Sequence, residues 1–235
     1  MYDGHMQAPI SMNTQTMITY EQPLNEHIRV CLRLEYLFTQ IDLHLNSSST
    51  QSSKLALNAI VKIMDVIDRP DLKSKLTQSL TQLSTSFSQL QQSMHVDEQR
   101  LHSILSQLDS LGTQLHNQRQ RIGEELRQNE FLSQVRLNAG NPGGACNYST
   151  PAYLLWLTQN QQQRIEQLNL WLTPLHDLRL IIKLILKLTR SGTASQRIVA
   201  DDGFYHQTLN PNQPCEMIRV MVASELGIYP EFSVG

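Results

Sequence analysis

Basic residues recur in this chain at spacings that could build an anion site. Arg179, Lys183, Lys187 and Arg190 step four, four and three along one segment. Arg29 and Arg33 lie four apart in another, and Arg69 and Lys73 straddle a proline. Guanidinium forks suit carboxylates, so each group could form a pocket for a carboxylate-bearing peptide. Each also has a plainer reading as the solvated edge of an amphipathic helix. Other chemistries have a weaker footing. Cys146 in Gly144-Ala145-Cys146-Asn147 would need a positioned base to act as a nucleophile, and nothing nominates one of the eight histidines. A small packed cysteine in a tight turn is the simpler reading. Gly140-Asn141-Pro142-Gly143-Gly144 lacks the lysine and hydroxyl residue of a P-loop and does not match GxGxxG, so its glycines are read as shaping a reversal. There is no HExxH and no His–carboxylate cluster at metal-ligand spacing. Neither catalysis nor a cofactor is expected, and a binding role is.

Composition narrows the class. The chain has 235 residues, 40% of them hydrophobic, enough for one large domain or a domain with a small satellite. Charged residues are only 17% and the formal net charge is −2, so no global field draws the protein to nucleic acid. Cys31, Cys146 and Cys215 are odd in number, widely spaced and without a CxxC, which fits a reducing cytoplasm. The first residues show neither a basic n-region nor an apolar h-region. The most apolar run, Leu178 to Leu188, is broken by Arg179, Lys183 and Lys187 and falls short of the roughly 20 residues of a membrane span. No membrane partner is expected.

The elements that must position the basic residues are mostly helical. Residues 1–15 read as a tail or expression-derived segment, with Asp3-Gly4-His5-Met6 resembling a tag remnant. Thr16 to Gln22 alternates as a strand. Helices are predicted over 24–45, 54–68, 71–94, from Asp97 to about 115, and over 122–137. Leu76, Leu80, Leu83, Phe87, Leu90 and Met94 keep a heptad seam, as do Leu101, Ile104, Leu108, Leu111 and Leu115. The pair should form an antiparallel hairpin, either one wall of a bundle or, across 72–115, a scaffold arm for another helical partner. Pro151 opens a further helix that runs to Arg190, with a kink or restart at Pro174 and Thr173 as a possible cap. Beyond Gly192 the segments 204–209, 217–222 and 228–234 read as strands. The predicted fold is therefore mainly α with a small β part. The helical bundle domain spans 23–195, and a small antiparallel β domain joins 196–235 to the strand at 16–22.

Several motifs occur in order: Tyr20-Glu21-Gln22-Pro23-Leu24-Asn25-Glu26, Leu32-Arg33-Leu34-Glu35-Tyr36-Leu37, Asp65-Val66-Ile67-Asp68-Arg69, Pro142-Gly143-Gly144-Ala145-Cys146, Gly203-Phe204-Tyr205 and Leu226-Gly227-Ile228-Tyr229-Pro230. From about Thr16 onward this set resembles the ZapD family of bacterial cell-division proteins. The resemblance implies a non-enzymatic homodimer that acts in septation. It would bind the C-terminal tail of the tubulin-like FtsZ and bundle its protofilaments at the mid-cell Z-ring. Carried over by position, Arg69 closes the Asp-h-h-acidic-Arg motif and is the first expected tail contact. Arg29, Arg33 and Lys73 are expected beside it. In the family a further strand of paired arginines follows the Tyr-Pro strand; here either such a strand lies past Gly235, or the expected site leans more on the helical residues.

Overall fold

The computed structural model describes residues 16–47, 49–90, 97–141, 150–210 and 215–233. The tail at 1–15, Met94 and the Pro142-to-Cys146 stretch lie outside them. The described chain is mostly helical, with a small two-stranded antiparallel sheet drawn from both chain ends. It divides into two compact units. One comprises the residues up to Asn25 together with those from His206, and the other is Glu26–Tyr205.

In the smaller unit, β1 (Met17–Pro23) pairs with β2 (Met217–Ala223) from Met17↔Ala223 to Pro23↔Met217. Glu21 faces Arg219 in this register, and their side chains meet at 3.0 Å. The two other predicted strands do not form among the described residues. Residues 205–210 are irregular after a single bridge, Asp201 to Phe204, and 228–233 are likewise irregular. β2 ends in a 3₁₀ turn closed by Gly227 at φ 62°, and Pro230 has no N–H to give a ladder. Alternation in a sequence marks what could line a sheet; it does not supply a partner.

The larger unit is built on a hairpin of α1 (Glu26–Leu45) and α2 (Thr50–Ile67). Both bury a helical stripe: Ile28, Leu34, Phe38 and Ile41 from α1, and Leu57, Ile60, Ile63, Met64 and Ile67 from α2. Ser49 caps α2 by accepting from the Ser52 N–H at 3.0 Å. Pro70 prevents α2 from running on, and α3 (Leu72–Leu90) starts afresh beyond it. α4 (Glu98–Asn117) follows, capped by Asp97. Leu76, Leu80, Leu101, Leu108 and Leu115 of the heptad pair are buried, and α3 and α4 pack on each other and on α9 (His176–Ser191). That part of the seam is spent inside the bundle, while Leu83, Phe87, Ile104 and Leu111 are half-buried.

The single helix expected over 122–137 is two. α5 (Glu124–Gln128) stops at Asn129, whose side chain caps α6 (Glu130–Ala139) by accepting from the Leu132 N–H at 3.0 Å. α7 (Pro151–Thr158) and α8 (Gln161–Leu172) meet at a second asparagine cap, Asn160, in a capping box with Gln163. Arg164 of α8 is buried and turns back to donate to the Leu157 and Gln159 carbonyls, with Ser53 Oγ at 3.1 Å. It thereby occupies carbonyls that the end of α7 leaves open. At Pro174 the chain passes through one 3₁₀ turn before α9. Thr173 does not cap α9; its hydroxyl donates back to the Asn169 carbonyl at 3.1 Å.

His27 docks α1 against α3. Its Nε2 lies 2.6 Å from Ser79 Oγ, while its buried Nδ1 has no hydrogen-bond partner among the described residues. Burial, with a smaller contribution from the Lys75 charge, holds the imidazole below its ordinary value near 6.5. In the unfolded chain His27 therefore binds more protons in the window below about pH 6.5, and stability falls as pH drops through that window. The expected result is a urea midpoint lower at pH 5.5 than at pH 7.5, with the difference reduced in His27→Gln. An undiminished slope in the variant would assign the pH dependence elsewhere.

Candidate functional site

α1 and α2 are joined by a short connection and run antiparallel, so the start of α1 lies beside the end of α2. Steps of three and four put Glu26, Arg29 and Arg33 on one face of α1. Arg69 emerges just past the last turn of α2, in the Arg69–Leu72 turn that precedes α3. The result is a convergence of three guanidinium groups on one carboxylate. Glu26 Oε2 accepts from Arg29 Nη1 at 2.5 Å, and Oε1 accepts from Arg69 Nη1 at 2.8 Å and lies 3.8 Å from Arg33 Nη1. Hydrogen bonds from Arg29 and then Arg69 hold the Glu26 carboxyl below its usual range. Three permanent cations face one anion on open surface, the arginine side chains being 40–55% exposed. Such a patch has cationic capacity to spare for an outside carboxylate.

The two acids of the Asp65-to-Arg69 motif work on the other side of the chain. Asp68 Oδ1 accepts from Arg127 Nε and Oδ2 from Arg136 Nη2, each at 2.5 Å. Arg136 Nε also reaches Asp65 Oδ1 at 2.7 Å. Arg127 also donates to the Ile122 and Ile67 carbonyls at 2.9 and 3.1 Å and reaches Glu124 Oε2 at 3.5 Å. Burial by itself would raise the Asp68 carboxyl, but the hydrogen bonds from Arg127 and Arg136 outweigh it and bring it below its ordinary value. The last turn of α2 is thereby fastened to α5 and α6, and Arg69 is presented from a fixed base. The motif thus combines two structural acids with one outward cation.

The remaining sequence-derived candidates separate. Lys73 leaves the arginine group and donates to the Gln118 carbonyl at 2.5 Å, closing the base of the α3–α4 hairpin. The α9 stripe is largely structural. Arg190 forks onto both Glu35 oxygens at 2.6 Å, and Arg179 pairs with Asp42 while lying 5.5 Å from the Phe38 ring centroid. These contacts fasten α9 to α1. Lys183 and Lys187 line a cleft of about 600 Å³ between α9 and α4, with Leu111 and Leu180. Sequence reasoning missed Glu26, Arg127 and Arg136. Glu26 could have been found from its spacing to Arg29 and Arg33, while the other two become visible only in three dimensions. Among the described residues no group of three or more His, Cys, Asp or Glu could hold a metal ion, and no helix is long and apolar enough to cross a membrane.

The family model described as "ZapD: Cell division protein" matches residues 32–235. The chain is 47% identical over 220 residues to the cell division protein ZapD of Coxiella burnetii, covering 94% of this chain and 85% of that one. It is 36% identical over 217 residues to the ZapD of Nitrosomonas eutropha, covering 92% and 86%. It is 32% identical over 222 residues to that of Aromatoleum aromaticum, covering 94% and 86%.

Proposed function

The chain belongs to the ZapD family of cell division proteins, and on that premise we propose that it binds the C-terminal tail of FtsZ and, as a homodimer, crosslinks FtsZ protofilaments. The observation that carries the reading is the convergence of Arg29, Arg33 and Arg69 on a single carboxylate. A disordered tail that carries carboxylates would meet there guanidinium donors already gathered, so less ordering is left to binding. Lys73 contributes at most its charge, since its ammonium is bonded to Gln118. The role is binding rather than catalysis, in the cytoplasm at mid-cell.

Bundling follows from bivalency. One exposed arginine site gives a weak, salt-sensitive contact, and two on one particle convert the second contact into an intramolecular event. The test is sedimentation of FtsZ polymer with and without this protein, using intact and tail-truncated FtsZ, beside the protein's mass in solution. Extra pelleting that needs the tail, from a particle twice the chain mass, is the expected result. Equal pelleting of truncated FtsZ, or a monomeric mass with full activity, would overturn it.

A further inference from the structure

We infer that Glu26 is an internal stand-in for the partner's carboxylate, holding the arginine site converged at rest and limiting how tightly any anion can bind there. This rests on the tail-binding reading above and adds what sets the affinity of that site. Both Glu26 oxygens are already engaged, Oε2 by Arg29 and Oε1 by Arg69 and Arg33. Arg69 lies 43 residues from Glu26 in sequence, so a single side chain gathers cations from two separate segments. Each arginine gives Glu26 one Nη1, which leaves most of its five donors for another acceptor. An arriving carboxylate takes these donors but also meets the Glu26 charge at the centre of the site. Like charge there costs affinity, and the cost weighs most on a polyanion whose binding rests on charge alone. With Glu26 in place, three cations are offset by one anion, and the site selects a ligand that adds further contacts over one that offers charge alone. The pairs are exposed, so the energy of each is small and shared exchange between Glu26 and a ligand is accessible.

The experiment compares wild type, Glu26→Gln and Glu26→Asp for binding of two labelled peptides, the FtsZ C-terminal peptide and hexaglutamate, by fluorescence anisotropy. Glu26→Gln keeps size and a hydrogen-bond acceptor while removing the charge; Glu26→Asp keeps the charge. Glu26→Gln is expected to bind both peptides about two- to fivefold tighter, the scale of one exposed ion pair. Its relative gain should be larger for hexaglutamate, and Glu26→Asp should not tighten. If wild type binds the FtsZ peptide and Glu26→Gln binds it equally or less tightly, the stand-in role is overturned and tail binding survives. If neither protein binds the FtsZ peptide while Glu26→Gln gains hexaglutamate affinity, the stand-in role survives and the partner is wrong. Tightening by both variants would overturn charge as the cause, and no binding of either peptide by any variant would overturn both readings. Melting curves on the same samples identify any variant whose loss comes from unfolding.

Discussion

Arg69→Glu is expected to lower affinity for the FtsZ C-terminal peptide at least about tenfold and to abolish tail-dependent pelleting of FtsZ polymer. The substitution removes one of the three cations and sets a second carboxylate beside Glu26 Oε1, now 2.8 Å from Arg69. Three cations against one anion become two against two, and the site loses its excess positive charge. A charge-assisted bond from a guanidinium to a ligand carboxylate is among the stronger polar contacts, which sets the tenfold scale. Pelleting should fall more steeply than the single-site affinity, because both ends of the bundling particle are weakened together. Stability should hardly change. Arg69 is 42% exposed and its one ion pair is a surface pair, so the melting temperature is expected to stay within about 2 °C. Unchanged peptide affinity with an intact circular dichroism spectrum would remove Arg69 from the site. Arg69→Lys provides a graded control: it keeps the charge but loses the fork, and an intermediate loss is expected.

That site was only partly legible before the fold was known, and the reason is the range of the interactions. Helical spacing exposes what lies within one helix, so Arg29 and Arg33 could be placed on a common face, and Pro70 marked where α2 had to end. Glu26 belonged to the same pattern but entered only as the last residue of a motif. Arg179 and Arg190 looked equally available, because their acidic partners Asp42 and Glu35 lie 137 and 155 residues away in sequence. Lys73 looked like a companion of Arg69 for a similar reason, its acceptor being a backbone carbonyl 45 residues distant. The break between α5 and α6 was hidden because Asn129 is as plausible on a solvated helix face as at a cap, and only its bond to the Leu132 N–H decides. At 204–209 and 228–233 the local pattern favoured strands, but among the described residues these segments pair with neither edge of the two-stranded sheet. In each case the local propensity was read correctly, and a distant partner, or the lack of one, determined the outcome.

The largest loss of stability is expected from Gly123→Ala, a residue that touches no candidate ligand. Gly123 precedes α5 with φ 71°, a left-handed conformation that alanine adopts at a cost of about 1 kcal/mol. A Cβ there would also lie 2.3 Å from Ile67 Cδ1, inside contact distance. Ile67 is buried at 4% exposure in the last turn of α2, so it can yield only by repacking its neighbours. Overpacking of this kind costs a further 1–3 kcal/mol or so. Together these amount to about 2–4 kcal/mol, or a fall in melting temperature of roughly 4–16 °C for a chain of this size. Ile67→Val tests the contact, because it deletes the Cδ1 atom that the new methyl meets. In a double-mutant cycle the two changes should compensate by about 1 kcal/mol or more. Additive effects within about 0.5 kcal/mol would mean that the methyl finds room by another route and that only the backbone conformation matters. The consequence for function follows from the chain itself: Ile67 leads directly into Asp68, held by Arg127 and Arg136, and then into Arg69. Loss of the close Gly123–Ile67 approach should loosen that anchor before it unfolds the protein. Gly123→Ala should therefore show weakened tail binding at temperatures where its circular dichroism is still native, whereas Arg69→Glu should show weakened binding with a native melting curve.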